Sequence, residues 1–109
     1  MTPNLLQGTL DMLLLHALVA GPAHGYTIAK IIEQRSGAFL QVEQGSLYPA
    51  LNRLEDRGSV DSYWATSENN RRARYYTLTP KGRRQLQQEA AQWRQLVHAI
   101  ALVIQPIEE

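Results

Sequence analysis

The hydrophobic period of this chain changes twice, and that constrains its fold more than any other feature. Up to Gly58 the apolar residues recur at helical spacing. From Val60 to Leu78 they alternate, and after Thr79 they return to helical spacing. A helix-period stretch cannot be written as a strand or the reverse. The pattern therefore fixes an order of helices, then a hairpin, then a helix.

The first helix is expected over about Gln7–Ala20. Leu10, Leu13, Leu14, Ala17 and Leu18 form one stripe; Met12, Leu15 and Val19 form a second. A helix apolar nearly all round is buried on more than one side, against another subunit or a later helix of its own chain. Gly21-Pro22 stops it, because proline lacks a backbone donor and pushes its predecessor out of the α region. A second helix is expected over about Gly25–Ser36, with Ile28, Ile31 and Ile32 inward and Gly37 as its stop. The third is expected over about Gln44–Arg57, with a core stripe of Leu47, Ala50, Leu51 and Leu54. Pro49 is expected to fit only in its first turn, where donors have no helical partner.

Val60, Ser62 and Trp64 alternate with Asp61, Tyr63 and Ala65, and Arg74, Tyr76 and Leu78 alternate with Ala73, Tyr75 and Thr77. Ser67-Glu68-Asn69-Asn70-Arg71 is a polar hairpin loop between these strands. Thr79-Pro80 opens the last helix with an N-cap hydroxyl and a proline at the first helical position. It runs to about Ile104, before Pro106. The fold class is mainly α with a small β-hairpin, a winged helix-turn-helix carrying a long C-terminal dimerisation helix. Residues 1–78 form the winged part and residues 79–109 the dimerisation helix. The length of 109 residues suits one compact domain.

The last helix asks for a partner. Leu86, Ala90, Trp93, Val97, Ile100, Ile104 and Ile107 follow an a/d heptad seam. From Pro80 to Ile104 such a helix is roughly 37 Å long at ~1.5 Å per residue, too long for the small preceding domain to cover. A homodimer through this seam hides the rest, since monomers avoid large apolar patches; folding of the seam onto the first helix is the alternative. Trp93 is either ordinary seam core or, where two copies flank a gap, a platform for a small planar aromatic ligand.

The net charge of +1 hides an asymmetry. Residues 1–70 carry net −3, residues 71–94 net +6, and Glu108 and Glu109 close the chain at −2. Such a basic block is either a solvated surface or one aimed at an anion. With the core stripe of the third helix inward, Gly45, Pro49, Asn52 and Arg53 face outward and Ser46 and Tyr48 flank them. Asn pairs with adenine, Arg with guanine, and hydroxyls near a helix N-terminus suit phosphate. Arg71, Arg72 and Arg74 on the hairpin suit phosphate or a narrow minor groove. Lys81, Arg83 and Arg84 oppose the dipole of the last helix, pointing to an external anion or an unseen carboxylate. Double-stranded DNA is the partner these residues fit. An ordinary exposed helix face is the alternative.

The absence of cysteine removes disulfides, thiolate metal sites and cysteine nucleophiles. His16, His24 and His98 lie on separate segments without catalytic partners, and no phosphate loop, HExxH or paired-carboxylate motif occurs. No enzyme activity, metal or cofactor is expected; His24 is read as a brace of its turn. No basic n-region precedes Asn4, Gln7 and Asp11, and Met12–Ala20 is too short to span a membrane. A cytoplasmic protein is the expectation.

Several motifs in order resemble the PadR family of bacterial transcriptional regulators: Gly8-Thr9-Leu10-Asp11, Gly21-Pro22-Ala23-His24-Gly25-Tyr26 and Gly45-Ser46-Leu47-Tyr48-Pro49-Ala50-Leu51. Leu54-Glu55, Arg71-Arg72-Ala73-Arg74-Tyr75-Tyr76 and Leu78-Thr79-Pro80-Lys81-Gly82-Arg83 complete the match along nearly the whole chain. The resemblance implies a dimeric winged-helix repressor of the short branch, with one C-terminal helix. Its third helix would enter the major groove and its wing would reach the flanking backbone. Some members respond to phenolic or planar aromatic compounds. The rival reading is a winged-helix module that binds protein or ligand without DNA.

Overall fold

The computed structural model of the chain describes residues 7–107. The expected spans 1–78 and 79–109 therefore extend beyond the described residues at both ends, where Asn4, Glu108 and Glu109 lie. Seven elements follow in order: α1 (Gln7–Ala17), β1 (Ala23–His24), α2 (Gly25–Arg35), α3 (Gln44–Asp56), β2 (Val60–Thr66), β3 (Arg72–Leu78) and α4 (Pro80–Val103). The strands form an antiparallel sheet in the order β1-β3-β2.

Three elements differ from expectation. The first helix ends at Ala17 rather than Ala20, because Leu18, Val19 and Gly21 donate to carbonyls three residues back and tighten the chain into turns. β1 was not expected, since two residues show no alternation. It pairs Ala23 with Tyr76 and His24 with Tyr75. Pro49 is not in the first turn of α3 but inside the helix, five residues after Gln44. It removes the donor that the carbonyl of Gly45 would otherwise accept.

Leu10, Leu14, Leu15 and Leu18 of α1 and its turn, Ile28 and Ile32 of α2, and Leu47, Ala50, Leu51 and Leu54 of α3 share one core with Val60 and Tyr76 of the sheet. α1 lies at its centre, packed on α2, α3 and the start of α4. Both stripes of α1 are thus used within one chain, although Val19 stays exposed. α4 is covered only over its first turns. Leu86 is buried, whereas Trp93, Val97, Ile100 and Ile104 of the seam are exposed, and so are the neighbouring Leu96, Leu102 and Val103. The molecule is accordingly elongated. Its radius of gyration is 15.7 Å, against about 13 Å for a compact domain of this size.

The start of α4 is locked to the end of α3. The hydroxyl of Thr79 lies 2.7 Å from the carbonyl oxygen of Gly58 and 2.9 Å from that of Ser59, and accepts the N–H of Gly82 at 3.0 Å. The N-cap read from Thr79-Pro80 is thus present. Ser59 is fully buried and donates to Oε1 of Gln85. Gly82 approaches so closely that a Cβ there would lie 2.0 Å from the carbonyl oxygen of Ser59. Gly82→Ala should cost ~1–3 kcal/mol and lower the melting temperature by about 4 °C or more. Gly45→Ala, with open space around it, should leave the melt unchanged or raise it.

Candidate nucleic-acid interface

With Leu47, Ala50, Leu51 and Leu54 buried, α3 presents Gly45, Ser46, Tyr48, Pro49 and Asn52 outward, all exposed. That is the face expected from the sequence. Tyr48 leans toward α2. Its hydroxyl would lie 2.7 Å from a Cβ at Gly25, so only a glycine at the start of α2 leaves room for the ring. Tyr26 and Lys30 stand exposed on α2 beside it, with Nζ of Lys30 donating to the Tyr26 hydroxyl at 3.3 Å.

Arg53 does not project freely. Its Nη2 donates to Oδ1 of Asp11 on α1 at 3.4 Å, and its Nε is buried without a partner among the described residues. Arg57 adds a longer ion pair to Oδ2 of Asp11 at 3.8 Å. The Asp11 side chain is only 3% exposed, against 35% for that of Arg53. Burial pushes the Asp11 carboxyl above the usual 3.8, although both guanidiniums pull it down.

The hairpin arginines divide in two. Arg74 is committed inside the chain. Its Nη2 donates to both carboxylate oxygens of Glu55 on α3, at 3.0 and 3.1 Å, and its Nε donates to the Ser62 hydroxyl at 2.9 Å. Ser62 in turn donates to Glu55. This triangle ties the wing to α3. Arg71 and Arg72 are exposed, and neither pairs with a carboxylate among the described residues. The guanidinium of Arg72 lies 5.3 Å from the centre of the Trp64 ring, a cation–π contact that holds it out along the wing. Ser67 accepts from Asn70 and donates to Arg71 within the loop, and Asn70 takes a left-handed φ of 58°, which Asn tolerates.

Lys81 has an internal explanation. Its Nζ donates to the carbonyl of Arg57, at the C-terminal end of α3 where a cation is favoured. Arg83 and Arg84 remain exposed. His24 stands edge-on to Tyr75 at 5.3 Å and shares a 3.3 Å hydrogen bond with Thr27, so it braces β1 against the hairpin.

Sequence reading missed Asp11, Glu55 and Trp64 as parts of this surface. Asp11 had a signal. It sits on the face of Leu14, Leu15 and Leu18, and a carboxylate on a core stripe needs a cation from elsewhere. Trp64 had the hairpin register as a signal, since Arg72 and Arg74 lie across from it; Glu55 had none, because its partner on β3 is set by the packing of the wing on α3. On α4, Trp93 is 46% exposed and lines a groove of about 360 Å³ with Gly8, Thr9, Met12, Glu89, Gln92 and Leu96.

The profile of the transcriptional regulator PadR-like family matches residues 14–88, well over half of the chain. The chain belongs to this family, whose members are transcription regulators rather than enzymes. A transcriptional regulator from Clostridium thermocellum superposes with a TM-score of 0.82 at 29% identity, covering 91% of this chain and 96% of its own. A PadR family transcriptional regulator from Eggerthella lenta superposes with a TM-score of 0.77 at 32% identity, covering 93% and 86%. An uncharacterised 37.1 kDa protein in transposon Tn4556 of Streptomyces fradiae is 46% identical over 80 residues, which are 73% of this chain but 21% of that protein. Among the described residues no helix is long and apolar enough to cross a membrane.

The raised value at Asp11 has a sign that can be tested. The folded chain holds that proton more tightly than the unfolded chain. The group therefore favours folding fully at pH below the unfolded value of 3.8, and that contribution is lost as pH rises through the folded value. Asp11→Asn, which cannot ionise, should lack this fall and should melt no lower than the parent at neutral pH. A melt well below the parent would contradict it.

Proposed function

We propose that the chain is a sequence-specific DNA-binding transcriptional regulator, acting as a dimeric repressor. The observation that carries this reading is the outward row of Ser46, Tyr48, Pro49 and Asn52 on α3, beside the free Arg71 and Arg72 of the wing. α3 enters the major groove by its N-terminal half. Asn52 reads a base edge there, and Ser46 and Tyr48 reach phosphate. Arg71 and Arg72 grip the flanking backbone. Arg53 and Arg74, expected at the DNA from sequence, support the surface from inside through Asp11 and Glu55.

Residues 79–109 serve as the dimerisation unit. The exposed seam of Trp93, Val97, Ile100 and Ile104 supports that role, whereas Leu86, expected in the seam, is buried in the chain's own core and Ala90 is half-buried. Two copies related by a twofold axis place two α3 helices on successive half-sites. Trp93 then stands where the copies meet, and a small planar aromatic effector stacks there to relieve repression. No cofactor or metal enters this scheme.

The test is a titration against the upstream DNA of its own gene and a shuffled duplex of equal composition. Selective binding is expected, with Asn52→Ala losing ~1–3 kcal/mol on the upstream duplex alone. Four free wing arginines per dimer should give a salt slope near −3.6 and an affinity loss of roughly 10²-fold between about 50 and 200 mM salt. Equal binding to both duplexes would contradict sequence reading by α3. Arg71→Glu with Arg72→Glu should abolish binding, and an unchanged affinity would favour a module that works without DNA. Val97→Glu should convert a dimer to a monomer in sedimentation and weaken DNA binding at least tenfold. A parent chain that sediments as a monomer would overturn the dimer.

A further inference from the structure

The ion cluster of buried Asp11 with Arg53 and Arg57 lies directly behind the proposed DNA-facing helix, and its role there goes beyond support. Arg53 follows Asn52 and stands one turn beyond Pro49 on α3. A guanidinium there could reach a guanine or a phosphate. Instead it turns back 3.4 Å to Asp11 of α1, with Arg57 at 3.8 Å on the other carboxylate oxygen. We propose that Asp11 is a positioning residue for specificity: it draws the charge of Arg53 and Arg57 off the DNA, so that α3 reads with its uncharged row alone. This rests on the DNA-binding reading above.

Three observations carry the inference. First, Asp11 is one of two buried polar residues in the described core, the other being Ser59, and it is the charged one. An isolated buried carboxylate is costly unless paired, so it recruits whatever cation α3 offers. Second, the contact that turns Arg53 back is long and incomplete: Nη2 stands 3.4 Å from the carboxylate and Nε is buried without a partner among the described residues. Third, the same division recurs on the wing. Glu55 holds Arg74, whereas Arg71 and Arg72 stay free. Arginines facing phosphate add affinity for every sequence alike, and such affinity dilutes discrimination. Holding Arg53 on Asp11 and Arg74 on Glu55 removes two guanidiniums from that contribution and leaves Arg71 and Arg72 at the wing tip to supply it beside α3.

Arg53 as a base reader makes the opposite forecast, and conservative variants separate the two. The parent, Asp11→Asn, Arg53→Gln and Arg53→Lys are titrated against the upstream and shuffled duplexes over a series of salt concentrations, after thermal melts establish that each is folded. Asp11→Asn is expected to bind the shuffled duplex several-fold more tightly and to narrow the ratio between duplexes. Its salt slope is expected to steepen by about one unit or more, as released guanidiniums meet phosphate. Arg53→Gln and Arg53→Lys are expected to keep upstream affinity within about threefold of the parent. A loss of about tenfold or more in Arg53→Lys on the upstream duplex alone would make Arg53 a bidentate base reader and overturn the inference. An Asp11→Asn variant with unmoved slope and ratio would reduce the cluster to packing and also overturn it. A parent that binds neither duplex at low salt overturns the DNA reading itself, and the inference with it.

Discussion

The close approach of Gly82 to Ser59 is the constraint on which the rest of the structure depends. At that point the end of α3, the start of β2, the end of β3 and the start of α4 meet within a few ångströms. The hydroxyl of Thr79 is shared between the carbonyls of Gly58 and Ser59, and Lys81 reaches the carbonyl of Arg57. Backbone against backbone leaves no slack for a side chain at Gly82. α3 and α4 are thereby held at one fixed angle. In the dimer we propose, that angle would set the separation of the two α3 helices by geometry, without a flexible linker between α3 and α4.

Charge is distributed around that frame unevenly. The sequence shows a basic block of net +6 over residues 71–94. In the fold, part of it is spent at once: Arg74 on Glu55 and Lys81 on the end of α3. Arg53 of α3 turns to Asp11, and Arg57, just after the helix, adds a longer pair to the same carboxylate. Within that block Arg71 and Arg72 at the wing tip, with Arg83, Arg84 and Arg94 on α4, remain on the surface without a carboxylate partner among the described residues. A count of basic residues therefore overstates the electrostatic attraction to DNA. The difference is set by three carboxylate–guanidinium pairs that span elements distant in the chain.

What was legible follows from the range of each interaction. The buried stripe of α3, the hairpin from Val60 to Leu78 and the Thr79 cap each rest on contacts within a few residues, and each is present as read. The family was legible too, because its motifs are ordered along the chain. β1 was hidden because two residues carry no period, and its pairing partners, Tyr75 and Tyr76, lie some fifty residues away. Pro49 misled because the buried stripe of Leu47, Ala50, Leu51 and Leu54 carries the helix through a residue that local rules place in the first turn. The outward side of α3 was legible as far as Asn52. Arg53 was not, because its direction is decided by Asp11, 42 residues earlier.

The central claim is that α3 and the wing tip form the DNA surface while α1 stays behind them. Amide hydrogen exchange with and without the upstream duplex tests it directly, since each segment reports its own opening and contact. Slowed exchange is expected over residues 44–52 and 67–72, with residues 10–17 of α1 unchanged. Protection confined to α1 and the exposed half of α4, with residues 44–52 untouched, would contradict it.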